Sequence, residues 1–86
     1  MIQVKKFYAT WCGPCKMLTP IMENVKGKFS NVQFEDIDID SQFETAQKYF
    51  VRSVPTVIIE KDGQEIERLV GVQSEMTYSN ILKENN

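Results

Sequence analysis

A run of β-branched and aromatic residues, Ile2 to Ala9, gives way within a few positions to a helical repeat, and the only two cysteines of the chain lie in the junction. The junction sets the topology locally, because a strand must feed directly into a helix. After Pro14 the apolar residues Leu18, Ile21, Met22, Val25 and Phe29 recur at three- and four-residue steps. This spacing predicts a helix to about Lys28, with Pro14 in its first turn, where a missing N–H costs nothing. Pro20 falls inside that helix and is expected to kink it.

Val32 to Ile39 alternates apolar and acidic residues, the period of a second strand, and Ser41-Gln-Phe-Glu44 reads as a capping box. A short helix to about Phe50 is expected to follow, with Phe43, Ala46 and Phe50 on one apolar face. Thr56 to Glu60 and Glu65 to Val70 read as two strands joined by Lys61-Asp-Gly-Gln64, where Asp-Gly supplies the positive φ of a tight hairpin. Ser74 with Glu75 caps a last helix, whose apolar side is Met76 or Tyr78 with Ile81 and Leu82, and Lys83 lies near its negative end. The order is strand, helix, strand, helix, strand, strand, helix, so the fold class is α/β, a mixed sheet layered by helices. The first two strands should run parallel through a right-handed crossover and the last two antiparallel through their turn. At 86 residues, one domain spanning 1–86 is expected.

Composition narrows the function classes. Hydrophobic residues at 42% and charged residues at 26% are those of an ordinary globular chain. Ten Lys and Arg against 12 Asp and Glu give a net charge of −2, with no histidine. The densest basic spots, Lys5-Lys6 and Lys26 with Lys28, lack the interleaved aromatics of a nucleic-acid stripe, so no nucleic-acid partner is expected. No apolar run approaches a membrane span, and the first residues lack a basic stretch followed by an apolar one. A cytoplasmic location with no membrane partner follows by default.

Cys12 and Cys15 admit three readings. Structural zinc needs about four ligands, which two cysteines and no histidine supply only across a dimer. A purely structural disulfide stabilises more the longer the loop it closes, and this loop is minimal. Redox chemistry fits the position, because a sulfur at a helix N-terminus meets unpaired N–H groups and the positive end of the dipole. Cys12, on the exposed side, would then attack a substrate disulfide as thiolate, and Cys15, one turn deeper, would resolve the mixed disulfide. Gly13 and Pro14 keep the turn tight and start the helix.

The segment Phe7-Tyr-Ala-Thr-Trp-Cys-Gly-Pro-Cys-Lys-Met17 resembles the active-site segment of thioredoxins. The similarity continues through Pro20, Asp38-Ile-Asp40, Arg52-Ser-Val-Pro-Thr56, Lys61-Asp-Gly63 and Val70-Gly71, covering essentially the whole chain. Thioredoxins usually begin with a further strand and helix, and the chain looks like a minimal member without them. The resemblance implies a four-stranded thioredoxin-like sheet, helices on both faces, ordered Val32–Ile37, Ile2–Ala9, Thr56–Glu60, Glu65–Val70. The helix at Gln42–Phe50 would cover one face nearly alone, which would account for Gln3 and Lys5 sharing one parity of the first strand. Pro55 matches the family's cis-proline, which leaves the backbone of Val54 free to pair with a bound peptide. Trp11, Ile39, Val54, Val70 and Gly71 map onto the shallow apolar patch that holds substrate, although for Ile39 and Val70 taken alone ordinary core packing is the better reading.

One departure stands out. Thioredoxins usually bury an Asp beneath the resolving cysteine with a Lys on the neighbouring strand, whereas this sequence has Lys6 and Asp36 in those places. On parallel neighbours the two could form a buried pair, less costly than either charge alone. The alternative is that both reach solvent, since Lys is seldom fully buried. If paired, Asp36 would take the proton from Cys15, directly or through water, with Lys6 steadying it. The activity implied is thiol-disulfide oxidoreduction on protein disulfides, with no bound cofactor beyond the redox-active disulfide and with electrons from a flavoprotein reductase of the thioredoxin reductase kind. A monomer is expected. A glutaredoxin-like reductase recharged by glutathione, or a binding subunit with incidental redox activity, are the alternatives. Against the first stands the absence of an obvious basic site for the tripeptide's carboxylates.

Overall fold

The computed structural model describes residues 1–86. Its elements are β1 (Ile2–Tyr8), α1 (Gly13–Lys28), β2 (Gln33–Asp38), α2 (Phe43–Lys48), β3 (Thr56–Lys61), β4 (Gln64–Val70) and α3 (Glu75–Asn85). The strands form one sheet in the order β2-β1-β3-β4, with β1 parallel to β2 and antiparallel to β3, and β4 antiparallel to β3. Type, order and pairing agree with the pattern read from the sequence.

Strand parity decides which face each residue serves. Ile2 and Val4 of β1 and Val57 and Ile59 of β3 join Leu18, Met22, Val25 and Phe29 of α1 and its end, and Tyr78 and Leu82 of α3, in the larger core. Phe7 and Ile58 point the other way, with Ile37 of β2 and Ala46 of α2. Tyr78, not Met76, is the buried choice on α3: it is 1% exposed and its hydroxyl accepts the Gln73 N–H at 3.1 Å, whereas Met76 is 70% exposed. Burial raises the pKa of that phenol above its ordinary value. Ser74 caps α3 by accepting the Thr77 N–H at 3.2 Å, as its side-chain chemistry requires. Asp62 and Gly63 both have positive φ, 52° and 84°, the conformation that matches the twist of a two-residue hairpin. α1 runs unbroken through Pro20, which lies on its exposed side.

The α2 side differs from the sequence reading. The capping box does not form: α2 starts at Phe43 after Gln42, which makes no side-chain cap bond. Asp38 organises the entry instead, its side chain accepting the Asp40 N–H at 2.9 Å and its carbonyl the Gln42 N–H at 2.8 Å. Such Asx turns compete with capping because a short carboxylate reaches its own neighbouring backbone. The inward face is Ala46 with Tyr49, while Phe43 and Phe50 are exposed. Phe50 lies past the end of α2 with φ +57°, so its ring leaves the helical face on which a continued helix would have put it.

Lys5 is not left free on this face. Its ammonium stands 3.4 Å from Glu60, 3.6 Å from Glu35 and 5.4 Å from the centroid of the Tyr49 ring. Burial opposes its charge, but Tyr49 and Glu60 outweigh it and raise the pKa above the ordinary lysine value. Arg68 of β4 ties the other end of α2. Its guanidinium donates to both Glu65 oxygens at 2.9 and 2.8 Å, to the Tyr49 carbonyl at 2.8 Å and to the Phe50 carbonyl at 3.5 Å. Tyr49 is the C-cap of α2, so its carbonyl finds in Arg68 a donor that the helix does not supply.

Candidate functional site

The site forms where β1 delivers the chain into α1. Cys12 occupies the N-cap position with extended backbone, and its sulfur accepts the Cys15 N–H at 3.2 Å, the bond that a Ser or Asp oxygen makes in an ordinary cap. Cys12 and Cys15 form a disulfide, with Cα atoms 5.3 Å apart. Gly13 and Pro14 lie between them, both exposed, and Pro14 sits at the start of α1. The two cysteines are equally covered, each 4% exposed, which corrects the expectation that Cys12 is the exposed one. What separates them is position along the helix: Cys12 caps it, whereas Cys15 lies within its first turn.

Two residues of the expected patch pack directly against the cysteines. Ile39 and Val54 pack on the small cluster of Ala9, Cys12 and Cys15, together with Tyr8. Ile39 is held by its N–H to the Tyr8 carbonyl at 3.0 Å. The Val54–Pro55 bond is cis, and Pro55 accepts the Gly71 N–H at 2.9 Å. That bond brings the end of β4 to the proline, and Gly71 makes the turn with φ +83°, a conformation suited to glycine. Val70, opposite Thr56 in the sheet, is 58% exposed, and Trp11 is 68% exposed. The Trp11 indole N–H donates to Asp40 at 2.8 Å, so this large ring is held beside the disulfide at its polar edge. Asp40 was not singled out as a site residue from sequence, since nothing local joins it to a tryptophan 29 positions away.

Lys6 and Asp36 do face each other in register, with Nζ 3.7 Å from Oδ1. The pair is not buried as a unit: the Lys6 side chain is 10% exposed and that of Asp36 is 66% exposed. The long lysine stem reaches the open edge of β2, where its charge meets a hydrated carboxylate. Both residues line a cavity of about 80 Å³ beside Met22, Glu23 and Lys26 of α1. Cys15 lines a different, open cavity of about 270 Å³ with Tyr8, Thr10, Lys16 and Thr19. The link between them is Tyr8, whose ring centroid is 5.7 Å from the Lys6 ammonium.

A family model described as Thioredoxin matches residues 2–84. The chain belongs to the thioredoxin family. A thioredoxin of Chlamydia pneumoniae is 43% identical over 76 residues, which are 88% of this chain and 74% of that protein. A thioredoxin of Staphylococcus aureus is 39% identical over 82 residues, 94% of this chain and 79% of that one. Among solved structures, the Fasciola hepatica thioredoxin matches with a TM-score of 0.91 at 33% identity, covering 99% of this chain and 81% of that chain. With its cysteine pair bonded across the start of α1, this thioredoxin-family chain is a thiol-disulfide oxidoreductase acting on protein disulfides. The family takes disulfide substrates and is reduced by thioredoxin reductase. No helix is long and apolar enough to cross a membrane.

Proposed function

We propose that the protein is a cytoplasmic monomer that reduces protein disulfides through a mixed disulfide on Cys12. In the reduced form the Cys12 thiolate attacks one sulfur of the substrate disulfide, forming the Cys12–substrate bond and releasing the other sulfur as a thiolate that takes up a proton. Cys15, deprotonated, then attacks the Cys12 sulfur, which frees the second substrate thiol and leaves the Cys12–Cys15 disulfide. The substrate gains two electrons and two protons, and the protein is oxidised by the same amount. A flavoprotein of the thioredoxin reductase kind restores the dithiol, and no resident cofactor takes part.

The observation that carries the assignment is the bond from the Cys15 N–H to the Cys12 sulfur at the head of a 16-residue helix. An N–H and the positive helix end favour a thiolate at that sulfur over one elsewhere in the chain. Trp11, Gly13, Pro14, Ile39, Val70 and Gly71 form the surface on which substrate rests, and the Val54 backbone beside Pro55 pairs with the substrate chain. The Cys15 proton passes to water in the open cavity that Cys15 lines. Asp36, in the neighbouring cavity, is the final acceptor of that proton through water, with Lys6 as its counter-charge.

Insulin reduction followed by mass spectrometry tests the assignment. Cys15→Ser is expected to accumulate a covalent adduct with the substrate at Cys12, and Cys12→Ser to form none. An adduct on Cys12→Ser and none on Cys15→Ser would reverse the roles.

A further inference from the structure

Phe50 is the one bulky residue held at positive φ, at +57°, and its ring is 75% exposed. Both features oppose stability. A side chain with a Cβ is disfavoured in the left-handed region, more so when it is large, and an exposed phenyl ring gains nothing from packing. The conformation is nevertheless fixed from several sides. The Phe50 N–H donates to the Gln47 carbonyl at 3.0 Å, the Val51 N–H to the Ala46 carbonyl at 3.0 Å, and Arg68 takes the carbonyls of Tyr49 and Phe50. Strain kept in place by its surroundings, with an apolar group turned outward, is more characteristic of ligand-holding positions than of scaffolding.

The chain leads directly from this ring to the redox site. Val51 packs on the core beside Phe7 and Ile37, Arg52 and Ser53 are exposed, and Val54 packs against the cysteine cluster. Val54 lies four positions along the chain from Phe50, a reach of at most about 14 Å. A peptide pairing with the Val54 backbone advances about 3.3 Å per residue, so three or four of its residues span a length comparable to the Val54–Phe50 segment at full extension.

We propose that Phe50 is a specificity residue for the reductase reaction, gripping an apolar side chain of the protein substrate three to four residues away from the disulfide. The proposal rests on the reductase reading above and adds a second point of contact to it. It also accounts for the strain: a ring held outward in the left-handed region is available to a partner and not to the core.

The test compares Phe50→Gly and Phe50→Leu with the parent protein on two substrates, insulin and the small disulfide oxidised glutathione. Glycine relieves the positive φ, so the variant folds and its thermal midpoint is expected to rise or hold. For insulin, Phe50→Gly should raise KM by roughly five- to tenfold with kcat within about twofold, the size of one lost interface anchor, and Phe50→Leu should restore most of it. The rate on oxidised glutathione should be unchanged, because so small a disulfide does not reach Phe50. An unchanged KM for insulin in Phe50→Gly overturns the proposal while leaving the reductase reading intact. Loss of both activities in the folded variant would overturn it as well, by showing that the residue acts on the disulfide chemistry and not on substrate grip.

Discussion

Replacing Arg68 by Met keeps the apolar stem and removes the guanidinium, which tests whether the end of α2 is tied to β4 as the geometry indicates. Four donor contacts are lost: two to Glu65 at 2.9 and 2.8 Å, one to the Tyr49 carbonyl at 2.8 Å and a longer one to the Phe50 carbonyl at 3.5 Å. The side chains of Arg68 and Glu65 are 29% and 39% exposed, and solvent screens their attraction. Their pair is therefore worth about 0.5–1 kcal/mol, near the upper end for surface pairs. The carbonyl contacts, one of them at good geometry, add about 1 kcal/mol. The variant should lose about 1.5–2 kcal/mol, which for a chain of this length lowers the thermal midpoint by about 6–16 °C. Arg68 also holds the Glu65 carboxyl below its ordinary pKa of 4.5, by hydrogen bonding first and by charge second. A carboxyl depressed in the folded state stabilises above its unfolded value and loses that contribution as pH falls through the folded one. The gap between parent and variant should be full at neutral pH and shrink below pH 4.5, leaving the share of the carbonyl contacts. Paired calorimetric melts across that range measure it. A gap under about 0.5 kcal/mol at neutral pH, within the ordinary scatter of surface substitutions, would refute the reasoning, as would a gap that does not respond to acid.

Lys5→Met leaves Glu60, whose side chain is 8% exposed, without its cation, and should cost roughly 2–4 kcal/mol in denaturant titration. In the parent the raised Lys5 pKa contributes stability that is present below pH 10.5 and lost as pH rises through the folded value, so the variant should show a flatter alkaline limb, with the remainder due to Tyr78. Leu82→Ala empties a fully buried position between α3 and the sheet and should cost about 2–5 kcal/mol, read as a lower denaturation midpoint at unchanged slope.

Much of the molecule could be read from sequence where the signal is local. The β-branched and aromatic run of β1, the three-and-four spacing of α1, the Asp-Gly turn and the Ser74 cap each arise within a few residues, and all recur in the structure. The cysteine pair was legible for the same reason, since strand, cap and helix are consecutive. The α2 side was not. Ser41 and Glu44 offered a sound capping box, but the chain enters α2 through a turn on Asp38 that binds the Asp40 and Gln42 N–H groups, and Phe43 and Phe50 carried a helical spacing that a six-residue helix cannot use. Lys5, Glu60 and Arg68 find their partners across strands, and those contacts exist only once the register is set. The exchange of Lys6 and Asp36 was visible as residues, but the exposure of Asp36 depends on β2 lying at the sheet edge.

The reaction turns on which sulfur is the thiolate. Timed alkylation of the fully reduced protein with iodoacetamide across pH 5–9, with each cysteine mapped by mass spectrometry, measures this directly. Cys12 should be modified first, with an apparent pKa clearly below the value of about 8.5 for a free cysteine, and Cys15 later and at higher pH. Modification of Cys15 first, or a Cys12 that titrates like a free thiol, would contradict the role given to the head of α1.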